Sequence, residues 1–164
     1  MLAAVVVIGV VVTMVLLRRP VKIESYDLSA TDRAACEAFV ADLPDSLADQ
    51  DRVDVRPGDA LGAAYGDPAI TVTCGVPVPE GFDQTSRCDE VNGIGWYIPD
   101  GSDNYRTVDL RLSVAGFRPV VEVVVPADLR PDARNVGDDT TAAVLATLAP
   151  IVGERLSLEQ RCDG

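Results

Sequence analysis

Four cysteines and no histidine follow an almost uncharged N-terminal segment, and that combination restricts the chain more than any motif in it. The cysteines are Cys36, Cys74, Cys88 and Cys162, an even set spread over an acidic domain. Even cysteines downstream of a membrane-targeting stretch read as structural disulfides formed in an oxidising space. Structural zinc wants close cysteine pairs or cysteine–histidine sets, and these spacings are far too wide for it. No metal and no cofactor is therefore indicated. The missing histidines also remove the commonest general base, which excludes Ser-His-Asp and Cys-His catalysis. The single lysine, Lys22, lies beside the N-terminal segment, so a Ser–Lys dyad inside the domain is excluded as well.

Four cysteines allow three pairings. We expect Cys74–Cys88 and Cys36–Cys162. The first would join a strand to the loop returning from a proline-rich excursion, and the second would tie the first helix to the C-terminal tail. In the chain-entropy picture the short loop contributes about 3 kcal/mol and the long one roughly 5. Together these rival the stability of an ordinary domain.

Leu2 to Leu17 is a run of sixteen residues, apolar except for Thr13 and closed by Arg18-Arg19-Pro20. It is slightly short for the hydrocarbon core of a bilayer. No Ala-x-Ala-like site follows it, so residues 1–19 read as a retained transmembrane anchor or uncleaved signal. No cysteine in or just after the run offers a lipidation site. Residues 20–28 read as a connector, and 29–164 as one domain large enough to bury its own core. Arginines on the C-terminal side of the run would place the domain in the cytoplasm by the positive-inside rule. The cysteines argue the opposite, and we side with them: a start upstream of Met1 would supply the missing basic residues, and the domain would be exported. The net charge of −12 repels phosphate backbones, which argues against a nucleic-acid partner.

Ser29 with Asp32 three residues on gives a helix start, and Cys36, Phe39, Val40 and Leu43 form one apolar stripe ended by Pro44. Residues 44–67 read as loop, with Arg52 to Val55 a short edge strand. Ile70 to Val76 alternates as a strand with Cys74 inward. Val91 to Ile98 reads as one strand, followed by a long hairpin connection and the strand Tyr105 to Val114. In that strand Val108, Leu110, Leu112 and Val114 face in. Pro119 to Val125 is the last strand. Asp138, Asp139 and Thr140 begin a second helix carrying Val144, Leu145, Leu148, Ile151 and Val152, which Pro150 must kink or split. The order predicts an α+β fold: an antiparallel sheet of about four to five strands with both helices on one face.

Catalysis by two carboxylates alone needs only paired acids flanking a cleft, but no specific motif marks such a pair. Asp100, Asp103 and Asn104 around Gly101 lack the register and terminal glutamate of a calcium loop, and read as a polar hairpin tip. Asn92, Trp96 and Tyr97 are the candidate ligand or partner surface, with the only tryptophan set between glycines as an aromatic platform. Against this, Ile94, Trp96 and Ile98 share one strand face, which favours a core tryptophan.

Tyr65-Gly66-Asp67-Pro68, Cys74-Gly75-Val76-Pro77-Val78-Pro79, Thr85-Ser86-Arg87-Cys88 and Val91-Asn92-Gly93-Ile94-Gly95-Trp96 occur in that order. With Ala35-Cys36-Glu37-Ala38 and the Val121 to Pro126 strand, they make the chain resemble the domain of unknown function 3515 family, small envelope proteins of high-GC Gram-positive bacteria. The resemblance covers nearly everything after residue 28. It implies a membrane-attached or secreted domain, usually preceded by a basic extension, and it supplies no activity. The reading is an exported, single-pass, membrane-anchored and non-catalytic module that binds an envelope protein or glycan. The alternatives are an acid-only hydrolase of envelope glycans and a structural subunit of a membrane complex.

Overall fold

The computed structural model describes residues 19–99, 108–130 and 139–162. The apolar run Leu2 to Leu17 and the hairpin tip at Asp100, Asp103 and Asn104 lie outside them. Among the described residues no helix is long and apolar enough to cross a membrane.

The fold is α+β, and its sheet is larger than expected. Strands β1 (Val21–Lys22), β2 (Ser46–Leu47), β3 (Gln50–Val53), β4 (Val55–Arg56), β5 (Gly62–Tyr65) and β6 (Ile70–Val76) come from the first half. The second half supplies β7 (Cys88–Val91), β8 (Ile94–Tyr97), β9 (Leu110–Ser113), β10 (Phe117–Arg118), β11 (Val120–Val125) and β12 (Ser157–Leu158). Eight of these form one sheet in the order β2-β3-β5-β6-β11-β9-β8-β7, antiparallel throughout. Two small pairs lie outside it: β1 with β4, parallel, and β10 with β12, antiparallel. The segment read as a connector therefore begins with a strand, and its Ile23 is buried.

Two helices cover one face. Helix α1 (Ala30–Ala41) starts where Ser29 Oγ accepts the Asp32 amide at 3.1 Å, and it turns Cys36 and Phe39 into the core. Helix α2 (Asp139–Arg155) buries Val144, Leu145, Leu148 and Val152. Between helices and sheet lie Ile70, Val72 and Cys74 of β6, Leu110 and Leu112 of β9, Val121, Val123 and Val125 of β11, and Ile94 and Trp96 of β8. The alternation read for β6 and β11 holds, because one sheet face is buried and a slip of one residue would turn the apolar set outward. Val108 departs from it: it lies before β9 and is exposed.

Pro150 neither splits nor ends α2. A proline has no amide hydrogen for the carbonyl four residues earlier, here that of Ala146. Asn92 Nδ2 reaches that carbonyl at 3.5 Å. The open acceptor is thus met from the hairpin tip between β7 and β8.

That hairpin revises the sequence reading of Val91 to Ile98 as one strand. Asn92 (φ 52°) and Gly93 (φ 79°) both have positive φ, the geometry of a two-residue turn whose twist suits paired strands. The turn pairs Cys88 with Tyr97, Asp89 with Trp96, Glu90 with Gly95 and Val91 with Ile94. Cys88, Glu90, Gly95 and Tyr97 therefore share the face away from the helices.

The faces decide the disulfides, and the expected pairing is corrected. Cys36 bonds Cys74 across the helix layer, with Cα atoms 5.5 Å apart, and Cys88 bonds Cys162 with Cα atoms 5.8 Å apart. In the sheet order β11, β9 and β8 stand between β6 and β7. Four strand spacings separate Cys74 from Cys88 by about 19 Å, well beyond the reach of a bridge. They also point to opposite faces, as do Cys36 and Cys162. With sequence separations of 38 and 74 residues, the chain-entropy picture gives each bridge roughly 4 kcal/mol.

Candidate functional site

The outer disulfide forms part of the wall of a cleft of about 210 Å³. Its lining comes from three pieces of chain: Cys88, Glu90, Gly93 and Gly95 from the β7–β8 hairpin, Gly116 and Phe117 from the start of β10, and Leu158, Gln160, Arg161 and Cys162 from the tail.

The tail is laid down in steps. Leu156 is the last core contact after α2. Leu158 then pairs with Phe117, and Ser157 with Arg118, as β12 runs against β10. The amides of Glu159 and Gln160 both donate to the Gly116 carbonyl, at 3.0 and 3.1 Å. Arg118 Nε lies 3.3 Å from Glu159 Oε2, but the pair is too exposed to add much. Cys162 finally bonds Cys88.

Two glycines make this approach workable. A Cβ at Gly116 would stand 2.1 Å from the Gln160 carbonyl oxygen, a collision with backbone. A Cβ at Gly95 would stand 3.2 Å from Cys162 Sγ and 3.4 Å from Cys88 Cβ. The tail and its disulfide occupy the space that side chains would fill.

Among the described residues the cleft offers the carboxylate of Glu90, the guanidinium of Arg161, the apolar Phe117 and Leu158, and the side chain of Gln160. Gln160 Nε2 is shielded from solvent and has no hydrogen-bond partner among the described residues. Because that nitrogen is shielded, the polar groups open to a ligand in the cleft are those of Glu90 and Arg161, both exposed.

The groups with shifted titration belong elsewhere in the fold. Burial pushes the Tyr65 hydroxyl up, and it donates to the Pro44 carbonyl at 3.0 Å. Hydrogen bonds from Thr85, then Ser86, hold the Asp83 carboxyl below the usual range. The hydrogen bond to Asp42 raises Arg155 and links the C-terminal ends of the two helices. None of these residues lines the cleft. Among the described residues no three or more Cys, Asp or Glu side chains gather closely enough to hold a metal ion.

The sequence-expected surface at Asn92, Trp96 and Tyr97 is corrected. Trp96 is fully buried in the core, as the shared strand face with Ile94 suggests, and Tyr97 is 6 % exposed, with Phe82 edge-on at 5.2 Å. Neither ring offers a platform. Asn92 is exposed, but its amide docks the hairpin on α2. Of the residues that line the cleft, the sequence singles out Cys88 and Cys162 but not Glu90, Phe117, Leu158 or Arg161, although Asn92-Gly93 is a usable signal. Read as a hairpin turn, it places Cys88, Glu90 and Gly95 on one face.

No curated protein and no solved structure matches the chain. Residues 1–159 match the family described as protein of unknown function (DUF3515), and the chain belongs to that family.

Proposed function

We propose that the chain is a non-catalytic, extracytoplasmic module, held at the membrane by Leu2 to Leu17, that binds a polypeptide partner of the cell envelope in the cleft beside Cys88–Cys162. The observation that carries this reading is a cleft that sets the exposed charges of Glu90 and Arg161 beside the apolar Phe117 and Leu158. Such a site suits a segment carrying an apolar side chain and both signs of charge. Strand β7 ends the sheet order, so among the described residues no strand pairs with its outer backbone edge, and an incoming strand can use it. A glycan is less well served, because the aromatic rings nearby are buried. The hydrolase alternative is less well served at this cleft, since carboxylate-only catalysis needs two acids and among the described residues Glu90 alone lines it. The disulfides support an oxidising compartment, where such bridges persist.

The test is site-specific photocrosslinking of the full anchored chain in its own cells. A photoreactive side chain at Leu158, exposed on the cleft, is compared with one at Ala143, exposed on α2. A reproducible polypeptide adduct from position 158, absent from 143 and lost in Gly116→Ala, is the expected result. Equal labelling from both positions, or none from 158, would contradict the reading.

A further inference from the structure

We propose that Cys88–Cys162 is a thiol–disulfide exchange site, and that its reduction by a dithiol unlatches the C-terminal tail while the domain stays folded. Two observations carry this. The first is access. Cys36 and Cys74 are 0 % and 3 % exposed under the helix layer, whereas Cys88 and Cys162 are partly exposed and line an open cleft. Exchange needs an incoming thiolate to reach a sulfur, so access separates the two bridges. The second is what each bridge holds. Cys36–Cys74 fastens a helix to a central strand in the core. Cys88–Cys162 fastens only the tail beyond Leu156, which is otherwise held by the two-residue β10–β12 pairing, two amide bonds to Gly116 and an exposed ion pair.

The chemistry is a two-electron exchange. A thiolate of the dithiol attacks one sulfur of the bridge, a new S–S bond forms to it, and the Cys88–Cys162 bond breaks as the other sulfur leaves as a thiolate. The second thiol of the reductant, deprotonated, attacks its own sulfur in the mixed disulfide. The reductant departs as an intramolecular disulfide, and both cysteines remain as thiols once protonated. The dithiol is oxidised and the protein bridge reduced.

Release of the tail takes Leu158, Gln160 and Arg161 away from Gly93, Gly95 and Phe117, and so opens the cleft. Reduction would then remove the binding surface. The exchange itself stands whether or not the cleft has a partner.

The test uses the oxidised full chain with excess dithiothreitol under native conditions. Timed acid quenching, differential alkylation and peptide mass spectrometry give the state of each cysteine, while Trp96 emission reports the core. The expected result is that Cys88 and Cys162 become free together, at least about tenfold faster than Cys36 and Cys74, with Trp96 emission unchanged. In a Cys88→Ser, Cys162→Ser chain, amide exchange at Glu159 and Gln160 should rise while β6 stays protected. Simultaneous loss of both bridges, or loss of Cys88–Cys162 only when Trp96 becomes exposed, would overturn the proposal. So would a doubly substituted chain that does not fold.

Discussion

The two faces of the sheet hold one disulfide each, and the two bridges do different work. Beneath the helices, Cys36–Cys74 joins two rigid elements that are also packed by Phe39, Val72 and Val121. On the opposite face, Cys88–Cys162 joins a hairpin to a tail that carries little packing of its own. Loop length alone ranks the outer bridge slightly above the inner one, since its loop is longer. The surroundings reverse that order. A bridge stabilises by the excess of its cysteines' effective concentration in the native state over that in the unfolded chain. Rigid packing holds that concentration high at Cys36 and Cys74, and a loosely held tail dilutes it at Cys88 and Cys162.

Paired substitutions therefore break the comparison most directly. Cys36→Ala with Cys74→Ala should cost about 4 kcal/mol in denaturant unfolding, or prevent folding outright. Cys88→Ala with Cys162→Ala should cost about 2 kcal/mol, within the lower part of the range for disulfides. Equal costs would mean that the tail is held as firmly as the helix layer. A smaller effect comes from Gly116→Ala, whose Cβ would meet the Gln160 carbonyl at 2.1 Å. It should cost roughly 1–2 kcal/mol as the tail is displaced, with faster amide exchange confined to Glu159 and Gln160. Spread of that effect into β6 or β11 would show that the two faces are coupled.

The inner layer was the legible part of the sequence. Period-two apolar residues in β6 and β11, and period-3.6 residues in both helices, mark surfaces that must be buried. The outer face carries no such pattern, because its contacts depend on glycines and backbone approach rather than on apolar side chains. Strand β5, Gly-Ala-Ala-Tyr, is buried throughout yet has no alternation to read. The β2–β3 turn uses Ala48 and Asp49 at positive φ in place of a recognisable turn pair. Cys88 was misassigned for the same reason. Its partner depends on the side of the sheet it faces, and that side follows only once Asn92-Gly93 is a turn between two strands.

Asn92 links the two faces, so its loss should be felt modestly. Asn92→Ala places a less suitable residue at positive φ and leaves the Ala146 carbonyl without its side-chain donor. A cost of about 1 kcal/mol is expected, and Asn92→Gly should recover only the backbone share. Smallest is the titration of Tyr65. Its hydroxyl pKa is raised in the folded state above 10.0, chiefly by burial, so the folded protein holds that proton more tightly than the unfolded chain. The resulting stability is present below pH 10 and is lost as pH rises through the folded value. Ultraviolet titration should show a late phase of tyrosine ionisation that Tyr65→Phe removes.

The separation of the two faces rests on which cysteines are joined. Proteolysis after arginine, without reduction, puts the four on separate peptides through cleavage at Arg52, Arg87 and Arg161. Mass spectrometry of those fragments should find the Cys36 peptide linked to the Cys74 peptide, and the Cys88 peptide linked to the Cys162 peptide. Recovery of Cys74 joined to Cys88, or of Cys36 joined to Cys162, would contradict the assignment of one bridge to each face.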